Sequence, residues 1–151
     1  MLPTYKSTLL QVKAQRIIRT HIVKLLSTFD LSLSEWIILG NLHERGGVRL
    51  ADIANLLSVE APLVTSLVVK LQKRGYLEHK IDPFDKRAKL IALTKKAKTL
   101  VPKVEREMKK ELRFATGFIN EKEYAVYLQV LEAIVAKFPD VKVTQTSLKD
   151  S

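Results

Sequence analysis

The chain of 151 residues contains no cysteine. That one absence removes disulfide scaffolds, thiolate zinc sites, iron–sulfur clusters and cysteine redox sensing, because each needs a sulfur ligand or nucleophile. Backbone breakers are scarce, with five glycines and five prolines, and 28% of residues are charged, a balance that argues against long disorder. No run approaches the roughly 18 to 20 apolar residues needed to cross a bilayer. Met1 to Gln11 lacks the charged-then-apolar order of a secretory signal. A soluble protein of the cytoplasm is expected, with no membrane partner. Catalytic arrangements are missing too: there is no Ser-His-Asp set, no carboxylate pair in an apolar setting, no glycine-rich phosphate loop and no metal box, so neither an enzyme nor a cofactor is expected. The three histidines, His21, His43 and His79, lie far apart on three different elements, and the long helix expected after residue 94 offers glutamates but no histidine, so no metal site is expected either.

What is present is a helical pattern. Leu10, Ala14, Ile17, Ile18, His21, Leu25 and Phe29 recur at helical spacing and predict a long amphipathic helix over Lys6 to Phe29. Ser32 with Glu35 forms a capping-box signal for a helix over about Ser34 to Glu44, ended by Gly46-Gly47. Val48 to Leu50 suits a very short strand, and Ala51 to Leu57 a short helix. After the turn Ser58-Val59-Glu60, Pro62 marks a first helical turn, and Val64, Leu67, Val68 and Leu71 trace one buried face up to Gly75. Tyr76 to Asp82 and Lys89 to Leu93 read as two strands joined by Pro83 to Ala88, a hairpin with a basic tip. Thr94 caps a second long helix that contains Pro102 and is interrupted near Gly117, and Asn120 with Glu123 caps a last one that Pro139 stops. Residues 139–151 are expected to form a flexible tail.

The net charge of +10 favours an anionic partner, and its distribution narrows the choice. The excess is +4 in residues 1–30, −1 in 31–48, +6 in 49–98 and +1 in 99–151. Concentration on the two short helices, the hairpin and the start of the following helix is the footprint that a phosphate backbone requires. An interfacial membrane binder would instead carry its basic residues along one long amphipathic helix.

Helix, tight turn, second helix and basic hairpin make a winged helix-turn-helix, in which the second helix enters the major groove and the hairpin reaches the backbone or minor groove. The residues sharpen that reading. The stretch Leu50-Ala-Asp-Ile-Ala-Asn-Leu-Leu is followed by Ala61-Pro-Leu-Val-Thr-Ser-Leu-Val-Val-Lys-Leu-Gln-Lys-Arg-Gly-Tyr-Leu, then by Asp82-Pro-Phe-Asp-Lys-Arg-Ala and Leu93-Thr-Lys-Lys-Ala. Together these motifs resemble the MarR family of transcriptional regulators over about residues 33–100, and over nearly the whole chain in helix order. The resemblance implies a mainly α fold with a small β-hairpin wing, as a single domain over 1–151. Residues 1–30 and 99–138 would form a helical dimerisation region and 31–98 the DNA-binding region. It also implies a homodimer on a pseudo-palindromic operator, and a small phenolic or other anionic effector held between the dimer helices and the DNA-binding lobe. Trp36, Arg16, Arg19, His21 and His43 could line such a cleft, but Trp36 opens a helix that packs in the core and Arg16 and Arg19 lie on a basic exposed face, so no ligand residues are assigned.

With the buried face subtracted, the second short helix offers Ala61, Pro62, Thr65, Ser66, Val69, Lys70 and Lys73 to double-stranded DNA. None of these is Arg, Asn or Gln, the side chains that make bidentate contacts to G or A edges. Recognition is therefore expected to draw on thymine methyl contacts, water bridges and DNA shape. In the wing, Lys86, Arg87 and Lys89 are the candidate contacts, with Arg87 suited to a narrow minor groove and Asp82 or Asp85 expected to hold its guanidinium. Two further readings stay open: a weakly specific architectural DNA-binding protein, and a winged-helix protein–protein module.

Overall fold

A computed structural model describes residues 4–142. Six helices and one hairpin follow in chain order: α1 (Thr4–Ser27), α2 (Leu33–Arg45), α3 (Leu50–Leu57), α4 (Ala61–Lys73), β1 (Leu77–Ile81), β2 (Lys89–Leu93), α5 (Lys95–Thr116) and α6 (Glu121–Lys137). The fold is mainly α with a two-stranded antiparallel wing, as the sequence pattern predicts.

Local chemistry sets most of the boundaries. At α2 the Ser32 hydroxyl accepts the Glu35 N–H at 3.2 Å while the Glu35 carboxylate accepts the Ser32 N–H at 2.8 Å, so both halves of the capping box are made. The same reciprocal pair, Asn120 with Glu123, opens α6. Thr94 caps α5 by accepting the Ala97 N–H at 3.3 Å, and α5 then runs unbroken past Pro102 to Thr116. Gly46 and Gly75 end their helical segments at φ +83° and +76°, backbone that a side chain would strain. The first helix is registered two residues earlier than its apolar stripe suggests, and β1 is one residue shorter at each end than Tyr76 to Asp82. Tyr76 donates its N–H back to Leu71 while its carbonyl accepts from Thr94, and Asp82 donates to Ala88, so each continues the hairpin register by one bond at the edge of the strand.

The ladder pairs Leu77 with Leu93 through Ile81 with Lys89. Val48 adds a single bridge to Ile91, which is all that forms of the very short strand expected over Val48 to Leu50. One apolar cluster holds the middle of the chain together: Ile38, Leu39 and Leu42 of α2, Ile53 and Leu57 of α3, Val64, Val68 and Leu71 of α4, Leu77, Ile91 and Leu93 of the hairpin, and Ala97, Val101 and Val104 of α5. Of α1, only Leu26 is buried. No side chain of α6 is buried. Among the described residues no single helix is long and apolar enough to cross a membrane. Most of the expected tail, residues 143–151, lies outside the described residues; before it, Lys142 pairs with Glu60.

Candidate nucleic-acid interface

Helices α3 and α4 turn on each other by 113° across Ser58, whose φ of +52° makes the corner. That angle is in the range of helix-turn-helix units. Burial of Val64, Val68 and Leu71 fixes the roll of α4, and the opposite face follows from the 3.6-residue period. Ala61, Pro62, Thr65, Ser66, Val69, Lys70 and Lys73 are all exposed on it. In the wing, Lys86, Arg87 and Lys89 are exposed as well. The fold thus brings the sequence-selected candidates onto the two projecting elements of one lobe.

Two of the α4 side chains have internal partners. The Thr65 hydroxyl donates to the Ala61 carbonyl at 3.0 Å, leaving its oxygen free to accept but its proton in use. Lys70 Nζ lies 3.3 Å from Glu35 Oε1, a carboxylate only 1% exposed beneath the helix. Burial pushes the Glu35 carboxyl up, but the Ser32 N–H, Lys70 and Arg74 together pull it below the usual carboxylate range, so it is charged at neutral pH. Arg74 completes this arrangement at the end of α4: its guanidinium reaches Glu35 at 3.3 Å, the Asp30 carbonyl at 2.5 Å and the Asp30 carboxylate at 3.3 Å. The other side of the same joint is Tyr76, whose ring has Arg74 at 5.1 Å and Lys96 at 4.6 Å from its centroid. Lys96 also donates to the Arg74 carbonyl at 2.9 Å. The C-terminus of α4 is therefore tied to both α2 and α5.

The wing requires a correction. Neither aspartate holds the Arg87 guanidinium. Asp82 is buried and pairs with Arg49, at 3.1 Å, while its other oxygen accepts the Phe84 N–H at 2.9 Å. That N–H and the Arg49 guanidinium hold the Asp82 carboxyl below its ordinary range. Asp85 accepts the Arg87 backbone N–H at 3.0 Å, again not the side chain. The physical reason is reach: Arg49, entering α3 beside the hairpin base, sits closer to Asp82 than a residue on the tip does. Arg87 is left exposed toward solvent. Arg49 and Arg74 are the positioning residues that sequence reasoning missed. The run Arg74-Gly75-Tyr76 was a usable signal for the second; nothing local marks the first.

Of the five residues that could line an effector cleft, two meet at a cavity. A cleft of about 570 Å³ lies between α2 and α5, lined by Trp36, Gly40 and His43 on one side and by Val101, Pro102, Glu105, Arg106, Lys109, Lys110 and Arg113 on the other. Trp36 and His43 line it; Arg16, Arg19 and His21 do not. His21 instead meets Glu111 at 2.6 Å and ties α1 to α5. His79 is exposed on β1.

Comparison with known proteins follows the same lines. Residues 29–88 match the MarR family. A curated relative, an uncharacterized HTH-type transcriptional regulator of Bacillus subtilis named YwoH, is 38% identical over 72 residues, which is 48% of this chain. The match spans about half, 52%, of that relative's length. Among solved structures, CouR from Rhodococcus jostii, bound to p-coumaroyl-CoA, superposes with a TM-score of 0.74 at 21% identity, over 90% of this chain and 93% of that one. A mutant MarR from E. coli complexed with operator DNA superposes with a TM-score of 0.70 at 18% identity, over 83% of this chain and 91% of that one. The fold is thus the winged-helix fold of these proteins, and residues 29–88 of this chain are similar in sequence to the MarR family.

Proposed function

We propose that the protein is a homodimeric, cytoplasmic DNA-binding transcriptional regulator, acting as a repressor by occluding a promoter at a pseudo-palindromic operator. The observation that carries this reading is the +6 excess of residues 49–98 together with the exposure, on one lobe, of the outer face of α4 and the basic wing. A polyanion is captured by that charge, α4 enters the major groove, and Lys86, Arg87 and Lys89 hold the flanking backbone or minor groove. Dimerisation is supported by the apolar faces that α1 and α6 leave exposed: Leu9, Leu10 and Ile17 on the first, and Tyr127, Leu131 and Ile134 on the second, with Phe138 just past its end. Faces of that kind on terminal helices suit a symmetric partner.

Regulation belongs to the same reading. The α2/α5 cleft is lined by Arg106, Lys109, Lys110 and Arg113, of which Lys109 pairs with Glu105 and Arg106 and Lys110 pair with Glu107, with Trp36 as an apolar wall; a small anionic aromatic ligand would compete with those carboxylates for the cations. Such a ligand would act by changing the separation of the two lobes, because both recognition helices must meet successive major grooves at once.

A second reading, a weakly specific architectural DNA-binding protein, is favoured by one observation: the exposed α4 face holds no Arg, Asn or Gln. The test is selection of duplexes from a random pool by the purified protein at two salt concentrations, with its mass measured alongside. A two-fold-symmetric motif bound by a dimer supports the regulator. Tight low-salt binding lost at moderate salt, with no motif, supports the architectural protein. Failure to bind at low salt sinks both.

A further inference from the structure

The wing carries one side chain that neither phosphate contact nor base-edge hydrogen bonding uses. Phe84 is 98% exposed, more than any other large apolar residue described. It stands in the connection between Ile81 and Lys89, followed by Asp85, Lys86 and Arg87. Its backbone, by contrast, is held firmly. The Phe84 N–H is bonded to Asp82, Asp82 is bonded to Arg49, and the loop is closed by Asp82 N–H to the Ala88 carbonyl at 3.1 Å and Ala88 N–H to the Asp85 carbonyl at 2.9 Å. A phenyl ring is thus displayed on a braced turn, beside Ile81, which is 71% exposed.

The surroundings indicate what the ring meets. Lys86, Arg87 and Lys89 are exposed on the same hairpin, as is Lys80, which pairs with Glu78 at 3.8 Å, while both acids of the turn have their carboxylates engaged with backbone N–H groups. An apolar tip inside a cationic rim matches a surface whose outside is anionic and whose inside is apolar, which describes the stacked bases of a duplex between its phosphate strands. Apolar wedges of this type enter minor-groove base steps, partly unstack them and kink the helix, and pyrimidine–purine steps yield most readily.

Resting on the DNA-binding reading above, we infer that Phe84 is an apolar wedge that enters the minor groove with the wing and opens a deformable base step, with Arg87 and its basic neighbours holding the flanking phosphates. The wedge gives the protein a source of sequence preference that α4 does not supply. Discrimination falls on the flanks of the site and follows the ease of deforming a step instead of the identity of a base edge.

The test uses the full-length protein and duplexes recovered from the random pool, carrying 2-aminopurine at successive flank adenines and a fluorophore pair at the two ends. Wild-type protein is expected to raise 2-aminopurine emission at one flank step per wing and to shorten the end-to-end distance. Phe84→Ala is expected to lose both signals and to bind roughly 10-fold more weakly with an unchanged salt slope. Phe84→Lys, which adds a cation at the same place, is expected to steepen the salt slope without restoring the emission, and Phe84→Leu to restore part of it. The ring is fully exposed, so melting temperatures of the variants should match wild type and exclude misfolding. Wild-type emission and affinity in Phe84→Ala overturn the wedge while leaving the regulator reading intact. Recovery of no duplex by wild type at low salt overturns that reading and the wedge with it.

Discussion

Helices α4 and α6 are both amphipathic, yet they stand in opposite relation to the rest of the chain. The 13 residues of α4 bury Val64, Val68 and Leu71 on the side that packs against α3, α2 and β1; the 17 residues of α6 bury none. The first is a finished element that shows its polar face to the outside. The second shows its apolar face there. A chain that closes its core around the winged lobe and leaves its terminal helices open divides two tasks between two regions: the lobe is complete in one copy, and on the dimer proposed above a second copy completes the terminal helices.

The sharpest way to break that contrast is Leu131→Asp, which places a charge on the open face of α6. The variant should run as a monomer in sedimentation, and losing the second lobe should weaken operator binding by about 10²- to 10⁴-fold, the factor that tethering two sites supplies. The melting temperature of wild type should rise with protein concentration and that of the variant should not. A dimer that survives the substitution would place the contact elsewhere.

Leu39→Ala probes the closed side. Leu39 is fully buried in the lobe, and its truncation should cost about 2–5 kcal/mol in denaturant titrations, independent of concentration. A loss below about 1 kcal/mol would mean the lobe is not packed as described.

Arg87→Ala should weaken binding by about 1–3 kcal/mol, most on A·T-rich flanks. Equal loss on every flank would count against minor-groove entry. Because no acid in the wing neutralises Arg87, its removal should leave folding untouched, unlike removal of Arg49.

The smallest effect expected is that of Glu35→Gln, on the order of 1–2 kcal/mol at neutral pH. The Glu35 carboxyl sits below its ordinary range in the folded protein, so its contribution is present above that range and is lost as pH falls through the folded-state value. Acid titration of stability should therefore be shallower in the variant than in wild type. An unchanged acid limb would show that the pair with Lys70 and Arg74 does not act on folding.

The sequence announces what is local. Ser32 with Glu35, Asn120 with Glu123, and Thr94 mark helix starts because caps are settled within four residues, and the second strand is found at its full extent, Lys89 to Leu93. The outer face of α4 can be read because burial has a period of 3.6. The bonds that orient the lobe have no such signature. Arg49 to Asp82, Arg74 to Glu35 and His21 to Glu111 join residues 33, 39 and 90 apart. An arginine's partner depends on which elements the fold brings together, and the expectation that Arg87 pairs with a neighbouring aspartate fails for that reason. The cleft was half legible on the same grounds: Trp36 and His43 share a face of α2, but the cations opposite them come from α5.

The passage from β2 to α5 has a mechanical consequence. Only Thr94 separates the strand from the helix, and its hydroxyl is bonded to the carbonyls of Gly75 and Tyr76, so the wing, the end of α4 and the long helix meet in one stiff joint. With a rise of 1.5 Å per residue, α5 is a rod of about 33 Å. A tilt of about 5° at one end displaces the other by about 3 Å, close to the rise of one base pair in DNA. On the regulator reading proposed above, a ligand that parts this rod from α2 at the cleft is converted into a displacement of that size at the joint where wing and α4 meet.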